Sequence, residues 1–205
     1  MSFWQLCVQG GWAMIPLALL LVLSIYIFFD RYLAIREAFR GDDNFMKRIR
    51  ALLRDGMVRE AMVLCEKTDT PESRLIAKGI SRIGRPVNDV LVAIENTGNL
   101  EIARLSSRLP WLATTAAGAP MIGFLGTVIG MVQAFYAIAR AGNAATVSSF
   151  ADGIYAALVT TVAGLIVGIL ALFAYNYLVA RINALMNNLE ARTMDFMDLL
   201  NEPAQ

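Results

Sequence analysis

The sequence has no histidine in 205 residues and only two cysteines, Cys7 and Cys65. Without histidine, the commonest metal ligand and the usual neutral-pH general base are missing. Two cysteines supply neither a disulfide framework nor metal-ligand spacing. No G-x-S-x-G, Walker loop or dinucleotide fingerprint occurs. These absences argue against an enzyme and predict no metal and no cofactor. Charge is missing as well, but only in places. No Asp, Glu, Lys or Arg lies between Arg108 and Arg140, between Asp152 and Arg181, or ahead of Asp30.

What fills those stretches is apolar. Hydrophobic residues make up 57% of the chain, which places it among integral membrane proteins. A span of about 20 apolar residues crosses a bilayer. The runs after Arg108 and after Asp152 are each closer to about 28, long enough to tilt or to pass the membrane surface. The opening run has no basic n-region and no small-residue cleavage site, so it reads as a first membrane helix rather than a leader. Of the 18 basic residues, about 15 fall between Arg31 and Arg108, which the positive-inside rule assigns to the cytoplasm. Topology follows by alternation, with the N-terminus periplasmic and the C-terminus cytoplasmic. Cys7 then lies outside and Cys65 inside, so the two cannot pair within one chain.

The expected fold is all-α, with three transmembrane helices, the second and third extending into a helical cytoplasmic domain. Residues 1–11 form a periplasmic N-terminal segment and 12–30 the first transmembrane helix, with Pro16 near its first turn and Asp30 and Arg31 at its end. Residues 31–108 form the helical cytoplasmic domain, 109–139 the second transmembrane helix, and 140–152 a short periplasmic loop. Residues 153–180 form the third transmembrane helix and 181–205 a cytoplasmic helix and tail.

Within 31–108, Asp42 or Asp43 is placed to cap a helix whose Phe45, Ile49, Leu52 and Leu53 share a face. Thr70-Pro71 is a helix start, and Gly84-Arg85-Pro86 stops one helix and begins the next. From Pro86 the pattern Val87, Val90, Leu91, Ile94, Ile102, Leu105, Leu109 predicts a helix running unbroken into the second membrane span. Gly98 weakens it locally. Ile182, Leu185, Leu189, Phe196 and Leu200 predict that the third span also continues inward.

The two later spans carry small residues on one face each. Thr115, Ala119, Gly123, Gly126 or Thr127, Gly130 and Ala134 recur at intervals of three or four, as do Gly153, Ala157, Thr161, Gly164 and Gly168. Such faces let helices pack closely in a bilayer, and a buried threonine is commonly satisfied by the carbonyl one turn back. With no titratable group at mid-depth, the chain cannot by itself store a proton there. Any ion movement needs a partner that supplies the charge.

The residues LPWLATTAAGAP ending at Pro120, followed by MIGFLGTVIGM to Met131, resemble the A-P-x-x-G-L-x-G-T-V-x-G motif of the MotA/TolQ/ExbB proton-channel family. GIYAALVTTVAGL from Gly153, ending in Ala174-Tyr175-Asn176, is similar to that family's second signature. Three membrane helices with a cytoplasmic domain after the first match the ExbB and TolQ branches. The resemblance implies a bacterial inner-membrane protein forming a pentameric ring around a dimer of ExbD- or TolR-like single-helix subunits. Each partner subunit carries a functional Asp, and work driven by the proton gradient passes to a TonB-like protein or the Tol–Pal system. The lipid bilayer is the other expected partner; nucleic acid is not.

By the same resemblance Thr127 and Thr161, with neighbouring Thr160, line the proton pathway. Pro120, Gly123, Gly126, Gly130, Gly153, Ala157, Gly164 and Gly168 pack the helices closely there. Ala156 stands where many ExbB and TolQ sequences carry Glu. Asp152, one turn earlier, is then a candidate for the pore mouth, its alternative role being that of a helix-start residue. Beside the ExbB-like motor stand a TolQ-like or gliding-type motor and a structural membrane scaffold that conducts nothing. Separately, the missing Glu leaves room for sodium in place of protons as the coupling ion.

Overall fold

The computed structural model describes residues 11–40, 44–141 and 147–201. After a 3₁₀ turn, Gly11–Ala13, come seven α-helices: α1 Met14–Ala38, α2 Phe45–Arg54, α3 Val58–Thr68, α4 Pro71–Ile80, α5 Val87–Ser106, α6 Leu109–Ala141 and α7 Val147–Asn201. Among the described residues there is no strand. Among the described residues three helical stretches are long and apolar enough to cross a membrane: Gly11–Ala38, Leu109–Arg140 and Gly153–Leu200. The fold is an all-α membrane protein. It divides into two compact units, one of the described residues up to Phe29 with Arg108–Tyr177, the other of Asp30–Ser107 with the described residues from Leu178.

In the first unit Leu17, Ala119 and Val167, one from each long helix, form a buried cluster. Leu20, Leu21, Ile122 and Ala163 pack against it. Pro16 is the third residue of α1, where a missing N–H breaks no intrahelical bond. The apolar run of α1 stops at Phe29, but the helix does not: it continues eight residues past Asp30 to Ala38. A charged pair does not break a helix, and Leu33-Ala34-Ile35-Arg36-Glu37-Ala38 is favourable helical sequence. Arg31 donates through Nε to Asp30 Oδ2 at 2.8 Å and through Nη1 to the carbonyl of Arg104 at 3.2 Å.

The second unit is built by successive short helices packing pairwise, α2 on α3, α3 on α4 and α4 on α5. Its core includes Ile49, Cys65, Ile76, Ile94, Leu185 and Phe196. Phe45, Met46 and Ile49 are the buried face of α2, with Leu52 and Leu53 half-buried beside them. The expected caps Asp42 and Asp43 lie outside the described residues; the N-cap is Asn44, without a side-chain cap bond. Helix α4 starts as its sequence requires. Thr70 Oγ1 accepts from Ser73 N at 3.2 Å and Ser73 Oγ accepts from Thr70 N at 2.9 Å, with Pro71 at the first position. Arg74, one turn in, donates to Asp69 Oδ1 at 2.9 Å and to Glu101 Oε2 at 2.8 Å, tying α4 to α5. Gly84, at φ +90°, supplies the left-handed residue that ends the turn after α4 before Pro86.

Two expectations for the inward helices separate here. Helix α5 passes through Gly98 without a break, but it does not run on into α6. Ser107 and Arg108 are turn residues between them. Pro110 is the cause: it has no N–H to give the carbonyl four residues back, and its ring crowds that carbonyl. The Trp111 N–H instead reaches Arg108 O at 3.3 Å, a tighter i to i+3 bond. The third span does continue, as one helix of 55 residues. Along its later part Ile182, Leu185, Leu189, Phe196, Met197 and Leu199 are buried.

Candidate functional site

Helices α6 and α7 meet in the first unit along a seam with almost no side chain in it. A β-carbon on Gly164 would lie 2.6 Å from the carbonyl oxygen of Ala119, and one on Gly123 2.8 Å from that of Thr160. One on Gly168 would meet Pro120 Cγ at 2.6 Å. Towards the other end, Gly130 faces Ala157 and Gly153 faces Ala134, each at 2.8 Å from the neighbouring Cβ. Contacts climb one helix as they descend the other, so the pair is antiparallel. Gly126 is enclosed by Thr160 and by Ala13 of the 3₁₀ turn. Every small residue assigned to close packing is in the seam. At Gly123 and Gly164 the atoms a β-carbon would strike first are backbone, whereas at Gly126, Gly130, Gly153 and Gly168 they are the side chains of Thr160, Ala157, Ala134 and Pro120.

Three threonine hydroxyls sit in this seam. Thr160, 2% exposed, donates to Ala157 O at 2.7 Å, one turn back. The hydroxyls of Thr127 and Thr161 hydrogen-bond each other across the two helices. Both also lie within reach of Gly123 O, each at 3.2 Å, and Thr127 is 3.3 Å from Ala157 O. A hydroxyl has one proton to give. Whichever threonine donates to the other is used up, and the second is left to donate to a carbonyl. Both arrangements satisfy the pair, so its direction is reversible. Thr127 and Thr161 are half-buried, at the edge of the seam, whereas Thr160 is enclosed.

No charged side chain of α6 or α7 competes with these hydroxyls, since the sequence has no Asp, Glu, Lys or Arg from Leu109 to Ala139 or from Gly153 to Ala180. Ala156 is half-buried and helical. The backbone of Asp152 belongs to α7, but its side chain is outside the described residues, as are residues 142–146 of the expected loop and residues 1–10. Arg140, exposed near the end of α6, lies over the Tyr136 ring at 5.2 Å from its centroid. Sequence reasoning missed Ser24, buried in α1 with no hydrogen-bond partner for its hydroxyl among the described residues. Its signal was slight, a single serine within an apolar run.

The profile of the MotA/TolQ/ExbB proton channel family matches residues 67–191, more than half of the chain and all of the seam. The chain belongs to the MotA/TolQ/ExbB proton channel family. It is 34% identical to the Tol-Pal system protein TolQ of Haemophilus influenzae, over 74% of this chain and 65% of that protein. It is 33% identical to a putative biopolymer transport protein ExbB homolog of Methanothermobacter thermautotrophicus, over 66% of this chain and 47% of that one. A putative biopolymer transport protein ExbB-like 1 of Synechocystis is 27% identical, over 92% and 72%. The chain thus spans less than two thirds of the first two relatives' length. Within the MotA/TolQ/ExbB family, both the TolQ and the ExbB names recur among its relatives. The family is one of channels rather than an enzyme class.

Proposed function

We propose that this chain is the ring-forming subunit of an ExbB-like inner-membrane motor driven by the proton gradient. In this reading five copies surround a dimer of ExbD- or TolR-like single-helix subunits, and a TonB-like protein carries the work towards the outer membrane. The N-terminus is periplasmic and the C-terminus cytoplasmic. The observation that carries the proposal is the half-buried Thr127–Thr161 hydroxyl pair on an uncharged seam. Such a pair can donate to or accept from a carboxyl brought by a partner helix, yet it cannot itself hold a proton. The partner's Asp would store the charge and the two threonines would solvate it in either protonation state. Asp152 would stand nearer the pore mouth, and the absence of Glu at Ala156 leaves the threonines as the polar groups of the route.

A TolQ-like reading of the same machine is supported by the Haemophilus relative, and it shares this chemistry. The test is proton uptake by liposomes holding this chain alone or with the single-helix subunit. Uptake or coupling is expected only with the partner and its Asp. Thr127→Val combined with Thr161→Val should abolish it while the oligomer persists. Uptake by this chain alone would overturn the proposal, and normal coupling in the double variant would remove the threonines from the route. Silence of the intact complex, with normal assembly and with the TonB-like protein added, would favour a non-conducting scaffold.

A further inference from the structure

The second unit leaves two carboxylates without cations in one place. A cleft of about 310 Å³ runs between α5 and α7, floored by Leu75, Ile94 and Leu189, with Glu95 on the α5 wall and Glu190 on the α7 wall. Glu190 is flanked one turn each way by the exposed side chains of Met186 and Met194. Some other acids of this unit have partners, Asp30 with Arg31, Asp69 and Glu101 with Arg74, and Glu72 with Arg192. Among the described acids that have none, Glu95 and Glu190 are set apart by lining one cleft. Among the described residues Glu95 and Glu190 have no ion pair.

The same unit carries the complementary surface. Helix α2 has four basic residues and no acidic one. Lys47, Arg50, Ala51 and Arg54 fall at i, i+3, i+4 and i+7, one exposed stripe opposite the buried Phe45 and Ile49. Among the described residues Lys47 and Arg50 make no ion pair.

We propose that the α5–α7 cleft receives the cationic face of α2 from a second copy of this chain, Lys47 and Arg50 pairing with Glu95 and Glu190. The aliphatic stems of the two cations lie along the apolar floor while their heads reach the carboxylates on the walls. Ala51, small and central in the stripe, lets the helix enter between them. Donor and acceptor surfaces are different parts of one chain, so the contact is head-to-tail and closes into a ring when the rotation permits. It rests on the ring reading above, for which it supplies a specific contact between copies.

The test uses full-length protein in membranes with Cys7→Ser and Cys65→Ala, carrying Arg50→Cys and Glu190→Cys. It is treated with a bis-maleimide whose span matches an Arg–Glu ion pair and run under denaturing conditions, since cysteines at the two ends of such a pair lie too far apart for a direct disulfide. A head-to-tail contact is expected to give a ladder of covalent species beyond the dimer, with neither cysteine alone doing so. Assembly without cross-linker is measured in parallel by native mass. Intact oligomers with no ladder, or with an internally cross-linked monomer, overturn the contact and leave the ring reading standing. No oligomer at all overturns both. As a second variant, Lys47→Glu with Arg50→Glu is expected to raise the concentration needed for assembly roughly tenfold, and Glu95→Lys with Glu190→Lys to restore it. No weakening, or no restoration, counts against the pairing.

Discussion

A β-carbon on Gly79 would lie 2.5 Å from Cε1 of Phe196 and 2.8 Å from Cδ1 of Ile94. Phe196 is fully buried, so the last turns of α7 are held by an aromatic ring seated against a bare stretch of α4. Alanine normally favours an exposed helix over glycine by about 1 kcal/mol. At Gly79 the sign reverses: Gly79→Ala should destabilise by about 1–3 kcal/mol through overpacking. Phe196→Ala should cost about 3–5 kcal/mol through the cavity it leaves. Thermal unfolding of the detergent-purified protein checks both, and a stabilised Gly79→Ala would sink the account.

The contrast between those two residues also marks what could be read in advance. Phe196 was legible, because it falls in step with Ile182, Leu185 and Leu189 on one helix face. Gly79 was not, since a glycine near a helix end reads as a stop and nothing local reports a ring from over a hundred residues away. The seam shows the same division. Spacing identified both small-residue faces, because period alone puts their residues in line, and the family resemblance singled out Thr127 and Thr161 on them. Spacing did not identify Ala119 O or Thr160 O as the atoms that glycine accommodates, since a carbonyl has no residue type. Pro110 was visible, but the hydrophobic pattern on either side of it suggested continuity, and the missing N–H won.

Backbone contact across the seam predicts a sharp difference between two glycines, one on each of its helices. Gly164→Ala drives a methyl into Ala119 O and the Gly123 backbone, where no flexible side chain can give way. Helices α6 and α7 would have to separate, and dispersion between them is what holds a membrane pair together. Gly118, with nothing within 4 Å of its would-be β-carbon, should accept alanine without loss. The thermal unfolding midpoint of the detergent-purified protein should fall in Gly164→Ala and be unchanged in Gly118→Ala. An unchanged midpoint in Gly164→Ala would overturn this account of the seam.

Hydroxyl chemistry and side-chain shape can be separated at the threonine pair. Serine keeps the oxygen and loses only a methyl, whereas valine keeps the shape and loses the hydroxyl. If the pair acts through hydrogen bonding, Thr127→Ser with Thr161→Ser should retain most partner-dependent proton uptake, and the double valine none. Each lost neutral hydrogen bond is worth about 1 kcal/mol, so the valine variants should still fold. Equal loss in both pairs of variants would mean that packing, not the hydroxyl, carries the effect.

Cys65 is 2% exposed in α3, and burial followed by the neighbouring Glu66 charge pushes its thiol up to about 11 from the usual 9.0. At pH 8 a shift of that size leaves about a hundredfold less thiolate than in the unfolded chain. In a Cys7→Ser background, maleimide should therefore label the folded protein at least a hundredfold more slowly than the denatured one. The pH dependence has a definite sign. Folding favours the neutral thiol, so its contribution is fully present below about pH 9 and is lost as pH rises from about 9 to 11. Other groups titrate in that range, so the quantity to measure is the difference in unfolding midpoint between the parent and Cys65→Ala. That difference should stay constant from pH 7 to about pH 8.5 and shift against the parent above it. Rapid labelling of the folded protein at pH 8, or no such shift, would mean that Cys65 is reached by water in the native state.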